Sequence, residues 1–371
     1  MLDILIKNAV LTDGSKIDIG VKNGKIVALD TLLNLNAVQT FVMESGSYIS
    51  AGWIDDHVHC NPTMDIYYDE PDLIGVHSGV CTVIDAGSCG YSNVDAFFQC
   101  VKNAKTNVYA LLNISDIGLI RQDELSDLSL IQIDHIKEKF NMYPDFLLGI
   151  KARMSQSVVG DNGIQPLVMA KKIQKELGDI PLMVHIGSAP PPLEDIMPLL
   201  DHHDMVTHCF NGKANSIIDS DMHIKSCVLC AQKRGVAFDL GHGTASFDFN
   251  VARHCLNLGF KCCTISTDIY HRNRVSGPVM SFAVTLSKML HLGYSLEEII
   301  DKVTRVPAEF FKIQNKGKIE IGYDADFTIF EVKDTQFEAI DSSGNREIIH
   351  KLIQPRHVIV GGVMIDMEEI Q

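Results

Sequence analysis

Six residues of this chain suit metal chemistry by type: His57, His59, Lys151, His185, His208 and Asp268. Each closes a short apolar run. An HxH on an extended segment turns both imidazoles to the same side. Four imidazoles and a carboxylate are good ligands for a divalent ion of the zinc, iron or manganese kind, and a set without thiolate favours a catalytic over a structural site. Taken singly, each residue has a plainer explanation. HxH pairs recur by chance, a histidine in PLMVHIG makes a hydrogen-bonded core residue, and the aspartate of STD caps a helix. Lys151 is the odd member, because a buried ammonium is costly and repels a cation. What argues for a joint site is position: all six fall at equivalent points of a repeated unit.

That unit is an apolar, β-branched run, a polar break and a helical pattern. The runs are SYISAGWIDDHVH (ending at His59), GVCTVIDAG (79–87), NVYALLNIS (107–115), DFLLGIKAR (145–153), PLMVHIG (181–187), DMVTHCF (204–210), GVAFDLGHG (235–243) and CCTISTDIY (262–270). Near-continuous apolar runs suit parallel strands buried on both faces. Helical patterns lie between most of them, at 93–105, 129–141, 166–177, 192–200, 217–233 and 248–258. Eight strands alternating with helices predict an α/β fold, a (β/α)8 TIM barrel over residues 51–316, whose active site lies at the C-terminal strand ends. A doubly wound sheet is the rival, but the GxGxxG fingerprint is missing. The ends differ. Residues 1–50 and 317–371 read as short antiparallel strands with Asp13-Gly14 and Asn23-Gly24 turns, so both termini are expected to pair into one small β-sandwich. Two amphipathic helices, the first starting near Ser276 or Pro278, precede the tail.

A chain of 371 residues buries a full core without disulfide staples. Its net charge of −15 argues against nucleic acid and anionic membrane surfaces as partners. No stretch approaches 18 apolar residues and no cleavable leader pattern is evident, so the expectation is a soluble, cytoplasmic protein. Ten cysteines then read as thiols. The lone CxxC, Cys227 to Cys230, sits in a helical run and reads as core or half-buried; Cys262 and Cys263 alternate across a strand. None is expected to be catalytic.

Laid end to end, these segments resemble the amidohydrolase superfamily, within it the dihydroorotase-like and deacetylase-like metal-dependent hydrolases. GWIDDHVH is similar to that family's first-strand motif, GIKAR to its lysine strand, STD to its eighth-strand aspartate, and KGKIEIGYDADFTIFEV to its return into the small domain; GVCTVIDAGSCG and FDLGHGTASF resemble the deacetylase branch. The resemblance implies that Lys151 is N6-carboxylated and bridges two divalent metal ions, Zn2+ in the first place and Mn2+ or Fe2+ otherwise. It implies His57, His59, Lys151 and Asp268 around the first ion, and Lys151, His185 and His208 around the second. The implied reaction is hydrolysis of an amide or ester by a metal-bridging hydroxide, with Asp268 as general acid and base.

The expected partner is a small, carboxylate-bearing substrate such as an N-acyl amino acid or O-acyl hydroxy acid. Arg153 and Arg272 are candidate carboxylate clamps, with Arg274 beside them. Asn113, His242 and Thr244, at the ends of the third and seventh runs, are candidate substrate contacts, and the glycines flanking His242 allow close backbone approach. The TMDIYYDEPDL loop after the first run stands where a lid could form. Dihydroorotases follow HxH with an arginine that grips the substrate; here Cys60-Asn61-Pro62 follow, which argues against dihydroorotate. Cyclic amides and a mononuclear deamination are the alternatives within the superfamily, and Lys151 speaks against the second. A non-catalytic scaffold is a remote one, since such relatives lose ligands. A homo-oligomer is compatible with the barrel, and nothing in the sequence sets its number.

Overall fold

The computed structural model describes residues 1–365 and 367. Seven parallel strands form one curled sheet: β6 (Trp53–Val58), β7 (Val80–Ala86), β8 (Asn107–Asn113), β9 (Leu147–Met154), β10 (Leu182–Ile186), β11 (Asp204–Thr207) and β12 (Ala237–Asp239), each beside its sequence neighbours. The eighth run, 262–270, is no continuous strand. It joins β12 through a parallel bridge at Asp239–Thr264 and β6 through one at Val58–Ile269. Backbone bonds from Leu240 N to Thr264 O (3.2 Å) and from Asp268 N to His57 O (2.7 Å) close the barrel there. The ladder breaks because Asp268 has φ +49°, outside the strand region.

Parallel strands covered on both faces need apolar residues throughout, and every residue of β6 and β7 is buried. Ile54, Leu111, Met183, Met205 and Phe311 fill the barrel interior below the strand ends. Outside, helices lay their apolar stripes on the strands. The helix Gln165–Glu176 buries Leu167, Ala170 and Ile173, at the spacing that puts them on one face. Several expected helices are shorter: 93–105 folds as Val94–Val101, 192–200 as Leu193–Ile196 with a following turn, and the second tail helix splits into Leu296–Lys302 and Arg305–Phe310. The pattern at 217–233 folds as a helix only over Ser226–Lys233, because the Asp219 carboxylate accepts from Asp221 N and His223 N and holds the preceding residues in a turn. The helix expected near Ser276 starts later, at Phe282–Leu292, capped by Ser281, whose Oγ accepts from Val284 N at 3.2 Å.

The termini build two facing four-stranded sheets. One holds β1 (Leu2–Val10), β2 (Lys16–Lys22), β3 (Lys25–Asp30) and β4 (Ala37–Val42); the other holds β5 (Ser47–Ala51), β13 (Phe327–Ile340), β14 (Arg346–Val360) and β15 (Val363–Ile365). Ile4, Ile6, Ile19, Val21, Ile49, Phe327 and Ile359 form the core between them. Two features depart from short antiparallel strands. The β1–β4 pair is parallel, because β4 crosses over to the far side of β1. The β13–β14 hairpin is long and serves two cores: its base lies in the sandwich, while Phe330, Ala339, Ile349 and Ile353 pack with the barrel cluster.

All ten cysteines are free thiols; Cys262 is buried and Cys263 half-buried, but residues 262–263 form no strand, so the difference does not come from strand alternation. Cys230 is exposed, which corrects its reading as a core or half-buried residue: the helix turns that face to solvent. Among the described residues no helix is long and apolar enough to cross a membrane.

Candidate metal centre

Parallel register sets the site. Asn113, Lys151 and Met183 stand abreast on β8, β9 and β10, and His185, Thr207 and Asp239 stand abreast on β10, β11 and β12. His57 is the last residue but one of β6 and His59 follows the strand; His208 follows β11. All six expected residues therefore converge at one end of the barrel. His57, His208 and Asp268 each offer a donor atom within 4.8 Å of the others, a group that can hold a metal ion. His59 Nε2 lies 3.2 Å and His57 Nε2 3.5 Å from Asp268 Oδ1. Lys151 Nζ lies 3.1 Å from His57 Nε2, and His185 Nδ1 lies 2.8 Å from His208 Nε2.

The outer nitrogens of three rings settle which inner nitrogens are open. Thr207 Oγ1 donates to Asp239 (2.7 Å), so it accepts from His57 Nδ1 (2.8 Å). Ser88 Oγ donates to Asp85 (2.8 Å), so it accepts from His59 Nδ1 (2.9 Å). The Gly241 carbonyl can only accept, so His208 Nδ1 donates to it at 2.6 Å. Each ring thus keeps its proton on Nδ1 and turns an Nε2 lone pair inward, which is the tautomer a metal ligand needs. The donor set fits a divalent cation.

Electrostatics agree. Burial lowers the His208 imidazole to about 4, which keeps it neutral. Burial raises the Asp268 carboxyl, and positive charge on the facing His57 and His59 side opposes that and holds it below the usual carboxylate range. Lys151 is fully buried beside the Met183 sulfur (3.1 Å) and has no carboxylate within ion-pair distance among the described residues. Burial brings its ammonium down to about 7. His208 (φ +73°) and Asp268 (φ +49°) both hold left-handed backbone, a strained geometry confined to few non-glycine residues.

These groups line a chamber of about 40 Å³ together with Tyr67 and Arg153. It adjoins a pocket of about 180 Å³ walled by Tyr67, Arg153, Lys213, Thr244, Ser246 and Tyr270, with Asp268 common to both. Larger clefts, near 700 Å³, lie elsewhere and contain none of the six residues, so size does not mark the site. Tyr67 comes from the acidic loop after β6 and stands over His59 (ring centroids 5.3 Å) and against Tyr270 (4.9 Å). Asp69 of that loop pairs with Arg274 at 2.7 Å, which explains that arginine.

The expected substrate contacts divide. Arg153 and Thr244 line the pocket; Arg153 Nη1 donates to the buried Glu124 carboxylate (3.2 and 3.3 Å) and Thr244 Oγ1 meets Tyr270 OH (3.0 Å). His242 does not. Its ring is fully buried against Phe247, with Nε2 on Lys288 Nζ at 2.8 Å, facing away from the chamber. The flanking glycines make their close approach to the candidate ligands His208 and Asp268 instead. A Cβ on Gly241 would stand 2.7 Å from His208 Nδ1, and one on Gly243 2.4 Å from Asp268 Oδ2. Asn113 is also wholly buried, donating to Gly87 O (3.2 Å) and accepting from Ser115 N (2.9 Å), so it braces the end of β8. Arg272 is exposed on the helix His271–Val275 and lines neither space. Sequence reasoning missed Lys213, Thr207, Ser88, Asp239 and Asp85. Thr207 carried a faint signal, standing next to His208; the others depend on partners distant in the chain.

A family described as a deacetylase-like composite domain matches residues 319–366. A deacetylase from Enterococcus faecalis is 50% identical over 365 residues, 98% of this chain and 99% of that protein. A solved structure described as an adenine deaminase shares 49% identity at a TM-score of 0.97, covering 99% of this chain and all of that one. Another, described as a dihydroorotase, shares 33% identity at a TM-score of 0.91, covering 99% and 98%. These descriptions name three different reactions on one architecture.

Proposed function

The chain belongs to the deacetylases of the amidohydrolase superfamily, which are hydrolases, and on that premise we propose a dinuclear, metal-dependent deacylase acting on the amide or ester of a small carboxylic acid, an N-acyl amino acid or O-acyl hydroxy acid. The observation that carries this reading is the convergence of three imidazoles, locked with Nε2 inward, on Asp268 in one chamber. Bound divalent ions would polarise the scissile carbonyl and bring the pKa of water toward ~7. His57, His59, Lys151 and Asp268 would hold one, and Lys151, His185 and His208 the other.

Lys151 takes part as a carbamate. Its amine, half neutral near pH 7 and more so above it, attacks the carbon of CO₂; one C–O electron pair moves to oxygen and nitrogen gives up a proton to solvent. The product is an anion, which removes the conflict between a buried cation and metal binding. Asp268 stays ionised across the neutral range, accepts a proton from the attacking water and returns it to the leaving nitrogen or oxygen. The neighbouring pocket of about 180 Å³ suits a small substrate. Asn61, where a dihydroorotase would carry arginine, is buried with its amide on the Cys89 sulfur (3.0 Å) and offers no charge to dihydroorotate.

Metal analysis of purified protein should find two ions per chain; fewer than one would overturn the assignment, and one would favour a mononuclear deaminase. A hydrolysis panel of N-acyl amino acids, O-acyl hydroxy acids and cyclic amides then tests the branch, which fails if only cyclic amides turn over.

A further inference from the structure

Two cations line the outer pocket, and they differ in what already holds them. Arg153 is engaged by Glu124, a carboxylate with no solvent exposure, and its guanidinium lies 6.0 Å from the Tyr67 ring centroid. Its charge is therefore balanced within the protein, and its remaining N–H groups act as donors without net charge to give. Lys213 is different. It is half-buried at the pocket wall, and no carboxylate stands within 4.0 Å of its ammonium among the described residues.

The loop that carries Lys213 is rigidly built. Asn211 is fully buried; its Oδ1 accepts from Lys213 N (3.1 Å) and its Nδ2 donates to His208 O (2.9 Å), which ties the lysine directly to a metal-site residue. Asn215, also buried, donates to Gly187 O (3.1 Å) and accepts from Leu193 N (3.1 Å), anchoring the loop to the neighbouring one. Ser216 Oγ closes the turn on Asn211 O at 3.0 Å. Nearby, Ser246 is buried and lines the pocket, and its hydroxyl has no hydrogen-bond partner among the described residues, so it too is open to a ligand. Asp268 belongs to chamber and pocket alike, whereas Lys213 belongs only to the pocket. A molecule whose reacting carbonyl sits at Asp268 therefore extends its other end toward an ammonium with no carboxylate in ion-pair contact among the described residues.

We propose that Lys213 is the anchor for the substrate's carboxylate, with Ser246 as a further donor and Arg153 as a charge-balanced one; this rests on the reading of the site as a deacylase of small acids. An ammonium–carboxylate hydrogen bond in a half-buried pocket is among the stronger polar contacts, and losing it weakens binding by roughly 10- to 100-fold. The anchor also gives specificity against uncharged amides and esters, which leave the ammonium desolvated without a partner.

The test separates the anchor from the chemistry. The probe is 4-oxopentanoate, a ketone isostere of N-acetylglycine with no bond to hydrolyse, paired with the uncharged 4-oxopentanamide. Calorimetric affinities for both are measured on metal-loaded wild type, Lys213→Met and Lys213→Arg, with thermal melts to verify folding. Wild type should prefer the acid by about 10- to 100-fold, K213M should lose that preference through weaker acid binding and an equal or higher amide affinity, and K213R should restore most of it. Wild type binding the acid no better than the amide, or K213M keeping the preference, overturns the proposal. Failure of turnover across the hydrolysis panel while the acid preference follows Lys213 would overturn the deacylase reading and leave the anchor standing.

Discussion

Imidazoles become metal ligands by the partner on the far nitrogen, and here those partners are hydroxyls and a carbonyl whose own bonds dictate the direction. Thr207 is the sharpest case, because Asp239 takes its proton and so obliges it to accept from His57. Thr207→Val keeps the volume and removes that instruction. We expect metal affinity to fall by roughly 10- to 100-fold, read by chelator competition, with the fold retained on circular dichroism. Unchanged affinity would mean the tautomer is set elsewhere. Asp268 should matter for turnover itself: Asp268→Asn, which cannot accept a proton, is expected to lower kcat by about 10²- to 10⁴-fold. A variant with full activity would remove Asp268 from the mechanism.

At the scale of elements, the loops after β11 and β12 do the positioning. Gly241, at φ +49°, lets the β12 loop lie against His208, with only 2.2 Å between a would-be Cβ and Thr207 Oγ1. Gly241→Ala therefore meets both steric conflict and a disfavoured backbone region. It should reduce bound metal and activity together while the melting temperature moves by no more than a few degrees, since the displaced atoms lie at the barrel mouth. A fully metallated, active G241A would show that the loop can shift without moving His208. The GHG motif was visible in the residues, but its purpose was misread, because which side chain a glycine makes room for depends on a strand more than thirty residues away.

Across the whole molecule, the C-terminal hairpin reaches past the sandwich and clasps the barrel. Lys288, on the helix Phe282–Leu292, donates to Pro278 O (2.7 Å) and Ile340 O (2.8 Å) and meets His242 Nε2 (2.8 Å), joining two barrel loops to the hairpin end. Burial lowers its ammonium from 10.5 to about 7, with Asp341 opposing. Between about 7 and 10.5 the unfolded chain binds this proton and the folded one does not. Stability from this group therefore rises with pH across that window, by at most about 1.4 kcal/mol per pH unit. Lys288→Met should be less stable by roughly 1–3 kcal/mol, from the acceptors left unpaired, and should show a flatter rise from pH 7 to 10. The lone Trp53, buried against Phe282 and Phe330 at this junction, reports the transition by fluorescence. Equal slopes in the two proteins would place the Lys288 proton differently.

The barrel and the six converging residues were legible in the chain because both rest on local pattern: apolar runs of strand length, and the rule that parallel strands deliver their C-terminal ends to one face. Even there the eighth run needed the structure, since its aspartate departs from strand geometry. Tertiary structure alone decided which polar residues face the pocket. Asn113 ends β8 and His242 and Arg272 lie at or just past the ends of the seventh and eighth runs, yet burial, a bond to Lys288 or an exposed helix face turns each away. Lys213 lies in a loop with no periodicity to betray it, and only the fold reveals it as the pocket cation without a carboxylate in ion-pair contact among the described residues. Strand order is written in short-range spacing; charge compensation is a sum over neighbours that the chain brings together only when it folds.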